Sequence, residues 1–222
     1  MTPNTVVFDV NETLLDLAAL DPLFEHHLGA AGLRRAWFAE MLITAMTLNH
    51  ISRYESFAEI GRACLATTAA KAGKRLPRET VEEILDAMRM LSPHPDVVPA
   101  FERLAAAGFR LVALTNSPPE TAQAQLEHAG LGDYFMKLLT VADAGRLKPA
   151  RAVYAAAAER LGKAPGELML VAAHTWDLAG AAASGWATAF VARGGQVPHP
   201  LYPLPDLVCT DLQAVATMIV DQ

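Results

Sequence analysis

The chain has 222 residues, of which 52 % are hydrophobic and 19 % charged, a composition that suits a well-cored globular protein and is too apolar for disorder. Its formal charge is −6 with no basic run, which disfavours a nucleic-acid partner. The longest uncharged apolar stretch, residues 178–192, is broken by Gly180, Ser184 and Gly185 and falls short of the ~18–20 residues that a bilayer span needs.

The N-terminal MTPNTVVFD carries no basic region ahead of its apolar residues and reaches an aspartate at once, so no signal peptide is expected. Residues 5–10 (TVVFDV) are β-branched and aromatic and end in polar residues, the pattern of a fully buried strand. From about residue 17 to 90 only helical patterns follow. Asp21-Pro22 opens the first, residues 37–48 and 57–70 carry broad apolar faces, and residues 77–90 place acidic side chains in their early turns, where the helix dipole favours them. Ser92-Pro93-His94-Pro95 then reads as a rigid linker.

Beyond the linker, strands predicted at 110–115, 137–141, 168–172 and 188–191 alternate with helical patterns. The helices at 96–107, 120–129 and 150–161 end against Gly108, Gly130 and Gly162, where a left-handed C-cap is favoured. A further helix is expected at 178–184, and the proline-rich segment 194–206 reads as a surface loop. Cys64 and Cys209 lie far apart and outside any metal-type spacing, which fits two free, buried thiols in a reducing compartment. The expected fold class is α/β: a Rossmann-like parallel sheet with helices on both faces, built from residues 1–16 and 93–222, and an inserted all-helical domain over residues 17–92. A soluble, cytoplasmic protein is the expectation.

In an open parallel sheet, ligands bind outside the carboxyl ends of the strands. After the first strand come Asp9, Asn11, Glu12 and Thr13; after the second, Thr115, Asn116 and Ser117; after the third, a loop to Lys148-Pro149; after the fourth, His174, Trp176 and Asp177. Two carboxylates, an ammonium, hydroxyls and amides therefore gather at one sheet edge, and the helical insertion leaves the sheet there too, placed to exclude water. Asp9 is the candidate nucleophile, kept ionised by Lys148. Each residue also has a plainer role open to it. Asp9 can cap a turn, Thr13 can bond Asp9 or cap a helix, and Asn116-Ser117 can cap the helix that follows. Asp177 can cap residues 178–184, while His174 and Trp176 can be structural.

The segments Phe8-Asp9-Val10-Asn11-Glu12-Thr13-Leu14, Thr115-Asn116-Ser117, Lys148-Pro149 and residues 171–177 resemble, in order, the four motifs of the haloacid dehalogenase superfamily. Residues 148–154 and 172–181 resemble the forms that these motifs take in the type II L-2-haloacid dehalogenases. The resemblance implies a helical cap after the first motif, a homodimer, and hydrolysis of short 2-haloacids to halide and a 2-hydroxy acid through an aspartyl ester on Asp9, without metal or organic cofactor. It further implies that Lys148 and Thr115 orient the reacting carboxylates and that Asp177 positions water or holds Lys148. Tyr154 reaches the substrate, Asn11 and Ser117 line its site, and Asn116, Trp176 and Phe38 form a halide cradle. His174 is added as a base for the hydrolytic water, because an unperturbed imidazole titrates near pH 6.5. Where the family has Tyr-Gly this chain has Asn11-Glu12, and a serine and an asparagine of the fourth motif become Ala172 and His174. The arginine of the first long cap helix falls at about Phe38, with Arg34 and Arg35 one turn earlier. The rivals are a Mg²⁺-dependent phosphatase, which would want an aspartate at position 11 and paired acids in the fourth motif, and a non-catalytic binding protein on the same scaffold.

Overall fold

The computed structural model describes residues 3–221. Its centre is a six-stranded, wholly parallel sheet made of β1 (Thr5–Phe8), β2 (Arg110–Thr115), β3 (Phe135–Thr140), β4 (Leu168–Ala172), β5 (Ala187–Val191) and β6 (Leu207–Cys209). The spatial order is β3-β2-β1-β4-β5-β6, which makes β1 and β4 the two central strands, with Val7 of β1 flanked by Val112 and Leu170. Every residue of β1 and β4 is buried, which explains why both read as unbroken apolar runs rather than as alternating ones.

Helices cover both faces. α5 (Val97–Ala106) packs on α9 (Leu212–Val220), and α7 (Arg151–Leu161) packs on α8 (Thr175–Ala182). Right-handed crossovers place these two pairs on opposite sides of the sheet. α6 (Pro119–His128) links β2 to β3. Successive strands run outward from β1 to β3 and then restart at β4, so the crevice beyond the carboxyl ends of β1 and β4 is where a ligand is expected.

Between β1 and α5 the chain forms α1 (Asp21–Leu28), α2 (Leu33–His50), α3 (Phe57–Lys71) and α4 (Arg78–Ala87), followed by a 3₁₀ turn at Met88–Met90. Trp37 of α2 is fully buried, with Nε1 donating to Gly61 O at 2.9 Å and its ring 5.3 Å from that of Phe24. The segment read as a linker is pinned rather than free-standing: Asp16 N donates to Ser92 O at 3.0 Å and His94 N to Leu14 O at 2.8 Å. The outgoing and returning chains thus cross side by side. A second tie joins α2 to the loop before α7, where Asn49 Nδ2 donates to Leu147 O (2.6 Å) and accepts at Oδ1 from Leu147 N (3.0 Å).

Two elements went unpredicted. β6 has only three residues behind a proline-rich loop, too few to show alternation, and α9 follows directly on it, capped by Asp211, whose carboxylate accepts from Ala214 N at 2.8 Å. The helix expected at 178–184 begins earlier, at Thr175, so Asp177 lies inside its first turn and is not its cap. Cys64 and Cys209 are free and buried. Among the described residues no helix is long and apolar enough to cross a membrane.

Candidate active site

Asp9 directly follows β1 and continues the ladder by one bond, its N–H donating to Val171 O at 3.1 Å, which fixes the carboxylate at the tip of that central strand. Thr13, one turn on, donates its hydroxyl to Asp9 Oδ2 at 2.7 Å and accepts from Ala173 N at 3.0 Å, so it bonds the carboxylate rather than capping a helix. The backbone oxygen of Thr13 is in turn held by Arg193, whose other nitrogen pairs with Asp96 at 2.9 Å.

Lys148 stands between two carboxylates, its Nζ 3.1 Å from Asp9 Oδ1 and 2.9 Å from Asp177 Oδ2, and only 1 % of it is exposed. A lysine buried this completely has no solvent to stabilise its charge, so the two acids must do so. Burial opposes the ionisation of Asp9, but Lys148, His174 and Thr13 overcome it and hold the carboxyl well below the usual carboxylate range. Asp177 is moved the other way: burial raises it, and the nearby charge of Asp9 adds to that against the pull of Lys148 and Tyr154. Burial and the Asp177 carboxylate push the Tyr154 phenol upward, so Tyr154 is a neutral donor to Asp177 Oδ1.

The approach of Tyr154 to α8 depends on Gly180. A Cβ at position 180 would lie 2.6 Å from both the ring and the hydroxyl of Tyr154 and 2.8 Å from Pro149 Cβ. Gly180→Ala is therefore expected to destabilise the fold by about 1–3 kcal/mol through overpacking. Thermal unfolding measures this, and an unchanged Tm would show that Tyr154 and Pro149 yield freely.

His174 caps α8 from β-region backbone and contacts two carboxylates, with Nδ1 3.1 Å from Asp9 Oδ2 and Nε2 2.8 Å from Glu12 Oε2. Its ring lies 5.1 Å from that of Trp176 and 5.9 Å from that of Phe38. Burial alone would lower its pKa, yet the two acceptors and their charges raise it to about 10. The two flanking carboxylates thus favour the imidazolium form of His174 in the resting protein, well above the range of a free imidazole. Glu12 also accepts from Arg34 Nη1 at 3.3 Å, and Arg34 Nε reaches Asp21. Burial opposes the ionisation of Glu12, but His174 and Arg34 lower its pKa overall. Asp9, His174, Glu12 and Arg34 thus form a continuous charge chain from the sheet to α2.

A cavity of about 360 Å³ lies beside this chain, and its wall includes Glu12, Arg34, Arg35, Phe38, His174 and Trp176. Asp9 is not on that wall; His174 stands between it and the cavity. Arg34, Arg35 and Arg193 on its wall outnumber the carboxylates of Glu12 and Asp16, so the cavity suits an anionic ligand, while burial and Arg193 hold the His94 imidazole below its usual range. The indole Nε1 of Trp176 is buried and finds no acceptor among the described residues.

The remaining predicted residues divide. Asn116 Oδ1 accepts from Lys148 N at 2.9 Å, which ties this turn to the lysine loop, and Ser117 N donates to Thr115 Oγ1 at 3.1 Å, which braces the turn internally. The helix after them is capped at Pro118 without a side-chain bond, which rules out Asn116 or Ser117 as its cap. Asn11 turns away from Asp9. Its amide donates to Ser117 Oγ at 3.1 Å and accepts from Gln125 Nε2 at 3.0 Å, tying the first motif to α6. Neither Asn11 nor Ser117 lines the cavity. Sequence reasoning did not assign roles to Glu12 or Gln125. The signal for Glu12 was its place where the resembled family has glycine: its φ is 62°, in the left-handed region.

The family model for haloacid dehalogenase-like hydrolases matches residues 3–185. The chain belongs to this family. It is 28 % identical over 215 residues to the (S)-2-haloacid dehalogenase of Pseudomonas sp. (strain YL), covering 96 % of this chain and 93 % of that one. Over 196 residues it is 30 % identical to (S)-2-haloacid dehalogenase 4A of Burkholderia cepacia, covering 87 % and 84 %. Among solved structures, the L-2-haloacid dehalogenase of Xanthobacter autotrophicus superposes with a TM-score of 0.92 at 25 % identity, over 98 % of each chain.

Haloacid dehalogenase relatives that act on phosphoesters need bare carboxylate oxygens to hold Mg²⁺. In this member of the family the Lys148 ammonium already bridges Asp9 and Asp177, His174 and Thr13 cover Asp9 Oδ2, and Tyr154 covers Asp177 Oδ1. Position 11, where those relatives carry the acid that shuttles a proton, is an amide with both ends engaged. The donor set does not fit the ion.

Proposed function

We propose that the chain is a hydrolytic dehalogenase of short 2-haloacids, releasing halide and a 2-hydroxy acid through an ester on Asp9. Residues 17–92 act as its cap, over a core of 1–16 and 93–222. The observation that carries this reading is the ionised carboxylate at the β1 tip, sharing one buried ammonium with Asp177. Oδ2 of Asp9 already accepts from Thr13 and His174, whereas Oδ1 accepts only from Lys148. Oδ1 therefore keeps a lone pair for attack on the halogen-bearing carbon. His174 covers Asp9 from the cavity side, so its ring turns about the Glu12 contact as the substrate carbon arrives.

Back-side attack inverts that carbon and expels halide. The unpartnered indole N–H of Trp176 and the positive edge of the Phe38 ring suit the departing anion. Water then attacks the ester carbonyl of Asp9, so the substrate carbon is not touched again and the inversion persists. Lys148 keeps Asp9 ionised before the first step, and Asp177 with Tyr154 holds Lys148 in place. The arginines of the cavity wall favour the substrate carboxylate. The (S)-2-haloacid dehalogenase relatives support the substrate class.

Incubation with L-2-chloropropionate in a chelator is expected to release chloride and yield D-lactate with many turnovers per site. Turnover of phosphoesters only, or tight 2-haloacid binding with no chloride, would overturn the reading in favour of a phosphatase or a binding protein.

A further inference from the structure

Resting on the dehalogenase reading, we infer that His174 is the base for hydrolysis of the Asp9 ester and that Glu12 is the residue that positions it. The geometry is that of nucleophile, base and orienter in one line: Asp9 Oδ2, His174 Nδ1 at 3.1 Å, then His174 Nε2 and Glu12 Oε2 at 2.8 Å. The ring is confined between Trp176 and Phe38, so rotation rather than translation is its freedom.

Glu12 holds a backbone conformation that glycine adopts without strain and that costs a glutamate about 1 kcal/mol or more. That conformation aims its carboxylate at both His174 and Arg34. Arg34 is itself buried and tied to Asp21, so Glu12 is locked from the α2 side. Gly at position 12 would relax the backbone and leave His174 without an orienter.

The relay is switched by the chemistry itself. In the resting protein two carboxylates flank the imidazole and favour its protonated form. Formation of the ester removes the charge of Asp9, one of those two partners, while Lys148 behind it stays cationic. Glu12 then faces the imidazolium alone, with Arg34 and Asp21 beyond it and His94 and Arg193 across the cavity. The imidazolium loses its proton to solvent, and this is the single proton that the net reaction releases. Neutral His174 next takes a proton from water as the oxygen adds to the Asp9 carbonyl carbon. Collapse of the tetrahedral species breaks the bond between that carbon and the product oxygen, and the leaving alkoxide takes the proton back from His174. The carboxylic acid left on Asp9 gives its proton to His174, which restores the starting ion pair.

The test is rapid-quench turnover of L-2-chloropropionate by the wild type, His174→Gln and Glu12→Gly, with intact-mass detection of the ester. In both variants the ester is expected to form and accumulate, with one chloride released per site, because its hydrolysis slows at least about 100-fold. Glu12→Gly, which relaxes the left-handed backbone at position 12 and leaves Arg34 paired with Asp21, should also show the pH–rate profile of ester hydrolysis displaced to lower pH, because one carboxylate beside the imidazole is gone. Added imidazole should accelerate decay of the ester in His174→Ala. Steady turnover within threefold of wild type in both variants would overturn the relay and leave the dehalogenase reading standing. Loss of the initial chloride release would also overturn it, by placing His174 in the alkylation step. Absence of any ester on Asp9 in every form would instead bring down the dehalogenase reading.

Discussion

Asp9→Asn is expected to abolish chloride release from L-2-chloropropionate, by at least about 10⁴-fold, which corresponds to roughly 5–6 kcal/mol of barrier. An amide oxygen is neutral and a poor nucleophile, and no neighbouring carboxylate can replace it. Asp177 accepts from Lys148 and Tyr154 and is fully buried, and Glu12 is occupied by His174 and Arg34. The fold should survive, because asparagine keeps the shape of the side chain and Lys148 retains Asp177 as its counter-charge. Chloride assays and thermal unfolding of the same preparation separate loss of chemistry from loss of structure. Chloride release at more than a hundredth of the wild-type rate would show that another group attacks.

Lys148→Met is expected to lose both stability and activity. Removing the ammonium leaves Asp9 and Asp177 buried together without their shared cation, and breaking such a pair typically costs about 3–5 kcal/mol. For a chain of this size that is a fall of roughly 6–20 °C in Tm. The pKa of Asp9 should rise, because one of its main stabilising charges is gone, so residual chloride release falls at least about 100-fold and recovers in part at higher pH. Adding Asp177→Asn to Lys148→Met restores the charge balance and should recover much of the stability but none of the activity. A double variant as unstable as the single one would mean that Lys148 acts mainly through packing. A single variant with wild-type rates would mean that Asp9 needs no ammonium.

Much of the architecture was legible because its signals are local. The apolar runs of β1, β2 and β4 mark strands buried on both faces, and the glycines after α5, α6 and α7 mark where those helices stop. The rule that ligands gather beyond the strand ends then brings Asp9, Thr13, Lys148 and Asp177 to one place from the sequence alone. What the sequence concealed depends on tertiary geometry. Asn11 and Ser117 look equivalent to their neighbours in the string, but they face each other and Gln125, away from the cavity. His174 reads in the sequence as a free imidazole, and only its position between Asp9 and Glu12 raises its pKa above that range. Arg34, one turn before Phe38, reaches the cavity from a buried position that helix periodicity alone does not reveal. β6 was missed because a three-residue strand carries no usable period.

A covalent bond from Asp9 to the substrate carbon is the centre of this account. Its most direct test is a single turnover in H₂¹⁸O with protein in excess over L-2-chloropropionate, followed by peptide mass analysis. The account predicts one ¹⁸O in the peptide bearing Asp9 and none in the lactate formed in that first turnover. Label in the lactate with an unlabelled Asp9 would mean that water attacks the carbon directly, and would contradict it.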